Sequence, residues 1–289
     1  MKEKLSFKKG SRSRAFFRIF NGIFMFVTVV VILVPILKIV SDSLDTTGAY
    51  GLRLIPQKPS IAAYKAIISQ TTLYTPFLIS IYTTILGTFI GLFLTTLGAY
   101  VLIQYDMPGR KLFAGILFFT MLFNGGLVPT YLNMIDLGLM NTLWAVILPL
   151  SLQVYNLILM KSFFEGIPKS LMEAAEIDGC SPMGIFFKIV LPLSKPALAA
   201  IGLFFAVSFW NEYFHFMLFI QDPDKLNFQI VIRQMIIEST TTQSTASGGI
   251  YSKTLQNAAI IVTVLPFMVI YPFCQKYFVQ GVTLGGVKE

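Results

Sequence analysis

The only histidine of the chain, His215, lies three positions after Glu212 in the run Trp210-Asn211-Glu212-Tyr213-Phe214-His215. A metal site needs a second His or Cys at ligand spacing, and Cys180 and Cys274 stand far from His215 and from each other. No nucleophile motif and no His-Glu-x-x-His run occurs, so neither a catalytic residue nor a metal ligand is assigned. The glycine pairs Gly125-Gly126, Gly248-Gly249 and Gly285-Gly286 lack the following Lys of a phosphate-binding loop, so the chain is expected to hold no cofactor of its own. What remains is polarity inside apolar sequence. Ser208, Asn211 and His215 share one helical face, with Trp210, Glu212 and Tyr213 beside them, and Gln153 and Asn156 share another near Tyr155. Amides that bond hydroxyls beside aromatic rings that stack on sugars suit a saccharide path. An interfacial aromatic belt and interhelical hydrogen bonding account for the same residues equally well.

The stretches that carry these groups are too apolar for water. Of 289 residues 55% are apolar and 12% charged, about half the charged share of a soluble domain. A membrane helix needs roughly 20 apolar residues, because the hydrocarbon core is about 30 Å thick. Six segments qualify, over 17–39, 75–103, 112–132, 142–162, 197–220 and 255–277. The expected fold class is an all-α integral membrane protein with six transmembrane helices. Met1 to Arg18 carries seven basic residues, and the apolar run that follows is too long for a signal core and lacks a small-x-small site after Leu37, so it reads as an uncleaved anchor. Lys and Arg divide 15 to 7 between alternate loops, which puts both termini and the 161–195 loop in the cytoplasm of a cell-membrane protein. The net charge of +8 is therefore a topology signal, and no nucleic-acid partner is expected. The Ser/Thr/Gly stretch from Ser239 to Gly249 falls in an outer connection, over 221–253.

The loop over 161–195 is more than a turn. Pro168 suits a first helical turn, Ser170 with Glu173 fits a capping box, and Gly179 fits the left-handed position past a helix end. Ile167, Leu171, Ala174 and Ala175 form one apolar stripe, small enough at the alanines for close approach of another surface. The stripe serves a docking helix or a helix resting on its own bundle.

Glu173-Ala174-Ala175, then Gly179, then Ile189 and Leu191-Pro192 resemble the EAA loop of the membrane subunits of binding-protein-dependent ABC importers. With Ile177-Asp178-Gly179 and Val190 to Ala197 included, the loop is similar to that of the carbohydrate, maltose-permease-like branch. Phe123 to Tyr131 and Leu137-Gly138-Leu139 further resemble Gram-positive permeases for oligosaccharides. Cys180 departs from the alanine usual at that place. The resemblance implies the ABC type I importer permease fold, with an N-terminal part over 1–72, a permease core over 73–279 and a tail over 280–289. It implies that Glu173, Ala174, Ala175, Asp178 and Gly179 of a cytoplasmic coupling helix contact a separate ATPase. The implied partners are a second homologous permease, two ATP-binding subunits that hold ATP and Mg, an extracellular solute-binding protein or lipoprotein, membrane lipid and an oligosaccharide substrate. The competing class is an ion- or proton-coupled secondary transporter, which should show intramembrane acids or inverted repeats.

Overall fold

A computed structural model describes residues 10–47, 51, 53–104, 106–123, 125–241 and 252–286. The start of the basic arm, Asn124, most of the Ser/Thr/Gly stretch and the last three residues lie outside them, as does the side chain of Cys274. The described residues are mostly helical and, apart from one isolated bridge between Asp45 and Pro59, contain no strand pairing.

The chain divides into two compact units, 1–69 with 236–262, and 70–235 with 263–289. The first unit holds α1 (Gly10–Ser43), α2 (Ala62–Ser69) and the beginning of α14 (Ser252–Gly286). Apolar side chains along α1, from Phe16 through Phe20 and Phe24 to Leu37, are exposed within the chain. An apolar face of that length is stable only against lipid or another protein.

The second unit is built around α3 (Tyr74–Ile103), whose 30 residues make a helix about 45 Å long. The same unit holds α4 (Arg110–Leu122), α5 (Leu127–Asp136), α6 (Trp144–Ser151), α7 (Val154–Glu165), α8 (Lys169–Ile177), α9 (Pro182–Ile185), α10 (Leu191–Leu193), α11 (Lys195–Trp210), α12 (Phe214–Phe219) and the first part of α13 (Phe228–Thr241). A π-helical segment over Phe186–Val190 joins α9 to α10. The closest pairing is α3 with α11. Phe205 and Phe209, one turn apart, are fully buried and lie over Gly91 and Gly87. A Cβ at Gly87 would stand 2.4 Å from the Phe209 ring, so only glycine lets the two helices approach this closely.

The six expected spans take two forms. Among the described residues three helices, α1, α3 and α14, are long and apolar enough to cross a membrane, and three bent helix pairs pass the same test together, which gives up to six spans. The pair α4 and α5 turns by 115° at Gly125-Gly126, α6 and α7 by 42° at Leu152-Gln153, and the α9–α10 segment and α11 by 81°. The fifth span is interrupted again over 211–213. At these interruptions polar side chains bond backbone carbonyls: Thr130 Oγ1 donates to Gly126 O at 2.8 Å, Gln153 Nε2 to Leu150 O at 3.5 Å and Asn211 Nδ2 to Val207 O at 2.9 Å. Broken backbone at membrane depth is tolerated on those terms.

Candidate functional site: the loop helix and its buried root

Helix α8 begins one residue after Pro168, which adopts φ −56° and ψ 124° and starts the helix without a side-chain cap. The Ser170–Glu173 capping box does not form, because Ser170 lies inside the first turn rather than ahead of it. The other end matches expectation. Gly179 takes φ +77°, its N–H donates to Glu176 O at 3.0 Å, and Cys180 N–H reaches back to Ala175 O at 2.9 Å, the paired bonds of a Schellman close. Gly138 ends α5 in the same way at φ +65°.

The apolar stripe divides in two. Ile167 and Ala175 are buried and Met172 packs beside them, whereas Leu171 and Ala174 are exposed. The reason is the 100° step of the helix, which turns Ala175 towards its own bundle and Ala174 with Asp178 away from it. Ala175, 8% exposed, is therefore a root rather than a contact. Ala174, Ile177, Asp178 and Gly179 face outward, and Ile177 is 87% exposed. Glu173 and Glu176 are exposed on the other flank, where with Tyr100, Gln104, Glu165 and Lys169 they border a cavity of about 210 Å³. An apolar groove of about 530 Å³, lined by Phe163, Pro168, Leu171, Leu193 and Pro196, runs along the opposite flank.

Below the helix one buried cluster is continuous from Ala175 through Ile167, Phe164, Ile185, Phe186 and Val190 to Ile201, Phe205 and Phe209 of α11. Tyr100 of α3 closes it, donating its hydroxyl to Pro182 O at 2.8 Å and packing on Phe186 at 5.0 Å between ring centroids. Arg110 lies 3.7 Å from Glu165, which also pairs with Lys161 at 2.6 Å, and this ties the start of α4 to the end of α7. Close-packed interiors transmit displacement, so a push on α8 reaches α11 and α3 through side chains already in contact.

The polar residues of the spans are mostly engaged within the chain. Asn156, 1% exposed, donates to Gln153 Oε1 at 3.1 Å, and Gln153 donates to Ser208 Oγ at 3.3 Å, which bridges α7 and α11. Trp210 is buried, its indole N–H on Thr263 O at 3.1 Å and its ring edge-on to Phe77 and Phe267. Glu212 accepts from His215 N–H at 2.8 Å and meets His215 Nδ1 at 2.9 Å, while the buried Asn227 amide donates to the Glu212 carbonyl. Tyr213 lies under Arg233, 4.2 Å from its ring centroid, with its hydroxyl on Met217 Sδ. Among Gln153, Asn156, Trp210, Asn211, Glu212 and Tyr213, only Asn211 is exposed. Among the described residues no cluster of His, Cys, Asp or Glu able to hold a metal is found.

A family of binding-protein-dependent transport system inner membrane components matches residues 111–284, more than half of the chain and all of the loop helix with its root. The chain belongs to that family. Related proteins agree over nearly its whole length. The polygalacturonan/rhamnogalacturonan transport system permease protein YtcP of Bacillus subtilis is 40% identical over 285 residues, covering 96% of this chain and 99% of that one. LplC of the same organism is 39% identical, covering 94% and 95%. A solved bacterial ABC transporter that imports the acidic polysaccharide alginate contains a chain 32% identical to this one, with a TM-score of 0.84 and coverage of 96% and 100%. This permease is thus an inner-membrane transport subunit with an all-helical ABC importer fold. Members of the family work with a partner permease, ATPases and a solute-binding protein.

Proposed function

We propose that the chain moves an oligosaccharide across the cytoplasmic membrane as one of two permeases of an ATP-driven importer, with α8 as the coupling helix. The observation that carries this is the buried cluster joining α8 to α11, since it gives an external helix a packed route into the membrane-spanning core. The relatives' names, which cite polygalacturonan and rhamnogalacturonan, and arabino-oligosaccharides, support a saccharide cargo. On this reading α8 faces the cytoplasm with both termini, as the 15-to-7 division of basic residues argues. Ala174, Ile177, Asp178 and Gly179 meet the ATPase, Glu173 offers a charge-assisted acceptor at the edge, and Ala175 anchors the helix from below. ATP and Mg belong to the two ATP-binding subunits, and this chain supplies no nucleotide site. Asn211 is the member of the span set placed to meet cargo hydroxyls, while Gln153, Asn156, Trp210, Glu212 and Tyr213 hold the broken helices in shape.

Glu173→Lys reverses the charge of an exposed residue without disturbing the fold. It should lower recovery of the ATP-binding subunits with the purified permease pair, and recovery at the wild-type level would remove Glu173 from the contact.

A further inference from the structure

The break in the fifth span over 211–213 is held from several sides. Glu212 Oε1 accepts from His215 N–H at 2.8 Å and meets His215 Nδ1 at 2.9 Å, so the acid of the break is engaged within it. The Glu212 carbonyl accepts from the buried Asn227 amide, and Asn227 Oδ1 accepts from Ile230 N–H at 3.1 Å, which closes the first turn of α13. Phe228 N–H donates to Ser80 Oγ of α3 at 2.9 Å, and Phe228, Ile230 and Ile232 are buried. The start of α13 is thereby fixed to the break and to α3, with Arg233 on its exposed side.

Among the described residues the Arg233 guanidinium makes neither an ion pair nor a hydrogen bond; it rests on the Tyr213 ring, 4.2 Å from the centroid. The Tyr213 hydroxyl, on Met217 Sδ at 2.9 Å, holds that ring in turn. Contact through a ring face leaves the N–H groups of the guanidinium unused, and their fork matches a carboxylate with two parallel bonds. The neighbouring acids are spent elsewhere, Glu212 on His215 and Asp222 beside Lys225 at 3.4 Å. Two residues before Tyr213 stands Asn211, which is exposed; its Nδ2 donates to Val207 O at 2.9 Å, and its Oδ1 is left to accept from a hydroxyl. An unpaired guanidinium held on an aromatic ring, with an open amide oxygen beside that ring, suits a ligand that carries both carboxylate and hydroxyl groups. A lipid phosphate is met by any exposed cation and needs neither a fixed ring nor an amide.

Resting on the importer reading above, we propose that Arg233 and Asn211 form an entry subsite at the outer end of the fifth span, and that its ligand is an oligosaccharide carrying carboxylates. Arg233 takes the carboxylate, Asn211 accepts from a ring hydroxyl, and Tyr213 is a positioning residue that holds the guanidinium. Selection for acidic saccharides is then a property of the membrane path as well as of the protein that delivers them.

The test uses the complete complex of permeases and ATP-binding subunits in nanodiscs of neutral lipid. Saturation-transfer difference NMR reads the affinity for two probes, trigalacturonate and the same trisaccharide with its carboxyls reduced to alcohols. The wild type should bind the acidic probe about tenfold more tightly, a preference that weakens as salt is added. Arg233→Gln should abolish the preference, and Arg233→Lys, which keeps the charge without the fork, should retain part of it. Asn211→Ala should weaken both probes alike. Equal affinity of the wild type for the two probes, binding of neither, or a preference that survives Arg233→Gln would overturn the subsite. So would loss of the preference in discs of anionic lipid, because Arg233 would then serve the headgroups. Unchanged affinity for both probes in Asn211→Ala would overturn the part given to Asn211. Proteoliposomes that hold the wild-type complex, its solute-binding protein and ATP but take up no oligosaccharide would mark a different failure, that of the importer reading itself.

Discussion

Gly179 and Asp45 show two ways in which a single residue shapes this permease. At Gly179 a Cβ would meet nothing within 4 Å, so its requirement is purely conformational: φ is +77°, where a side chain costs about 1–2 kcal/mol. Asparagine tolerates that region and valine does not. ATP-driven uptake should therefore rank wild type, then Gly179→Asn close behind, then Gly179→Val far below; equal uptake by the last two would mean the left-handed close is not needed. At Asp45 the cause is electrostatic. Burial opposes its charge, but the N–H groups of Gln57, Thr47 and Lys58 and the Thr47 hydroxyl outweigh that and lower its pKa from 3.8 to about 2. A depressed folded pKa means stabilisation present above 3.8 and lost as pH falls towards 2. Asp45→Asn should lower the unfolding temperature of the purified permease at neutral pH, with a gap that narrows on acidification between those values. A gap independent of pH would show that the ionised form is not what these bonds use. Gly179 was legible in the sequence because helix ends carry local residue preferences. The bonding of Asp45 was not, since its donors are backbone groups of any residue type and Thr254, whose hydroxyl donates to its carbonyl, lies 209 positions away.

Helices were legible as apolar runs, but their continuity was not. Hydropathy measures what a segment is dissolved in and says little about where its hydrogen-bond ladder stops, so the bends at 125–126, 152–153 and 211–213 went unseen. Polar residues read as possible cargo contacts are partly explained by those same bends: Gln153 and Asn211 bond backbone carbonyls beside them, and Glu212 closes the first turn of α12. The loop helix showed the reverse limit. Its stripe was correctly apolar, yet only packing decides which edge turns inward, and Ala174 and Ala175 parted company there. For α3 and α11 the glycines give a direct prediction. Gly87→Ala forces a Cβ against the Phe209 ring and should destabilise the permease by about 1–3 kcal/mol, read as a lower unfolding temperature, with partial recovery on adding Phe209→Leu. Full stability of Gly87→Ala alone would mean the helices are not in such close contact.

In the permease as a whole, the chemistry of transport is divided by position. The apolar exposed faces of α1 and α3 suit lipid and partner helices, and α8 is rooted in the core while showing a small-residue face to the outside. That last feature carries the account, and it yields one direct measurement. In a background with Cys180→Ala and Cys274→Ala, Ala174→Cys and Ala175→Cys are labelled with a maleimide before and after the ATP-binding subunits are added. Ala174→Cys should be labelled rapidly alone and protected by the ATP-binding subunits, while Ala175→Cys should be labelled poorly in both states. Labelling of Ala174→Cys that is unchanged by the ATP-binding subunits would contradict α8 as the coupling helix.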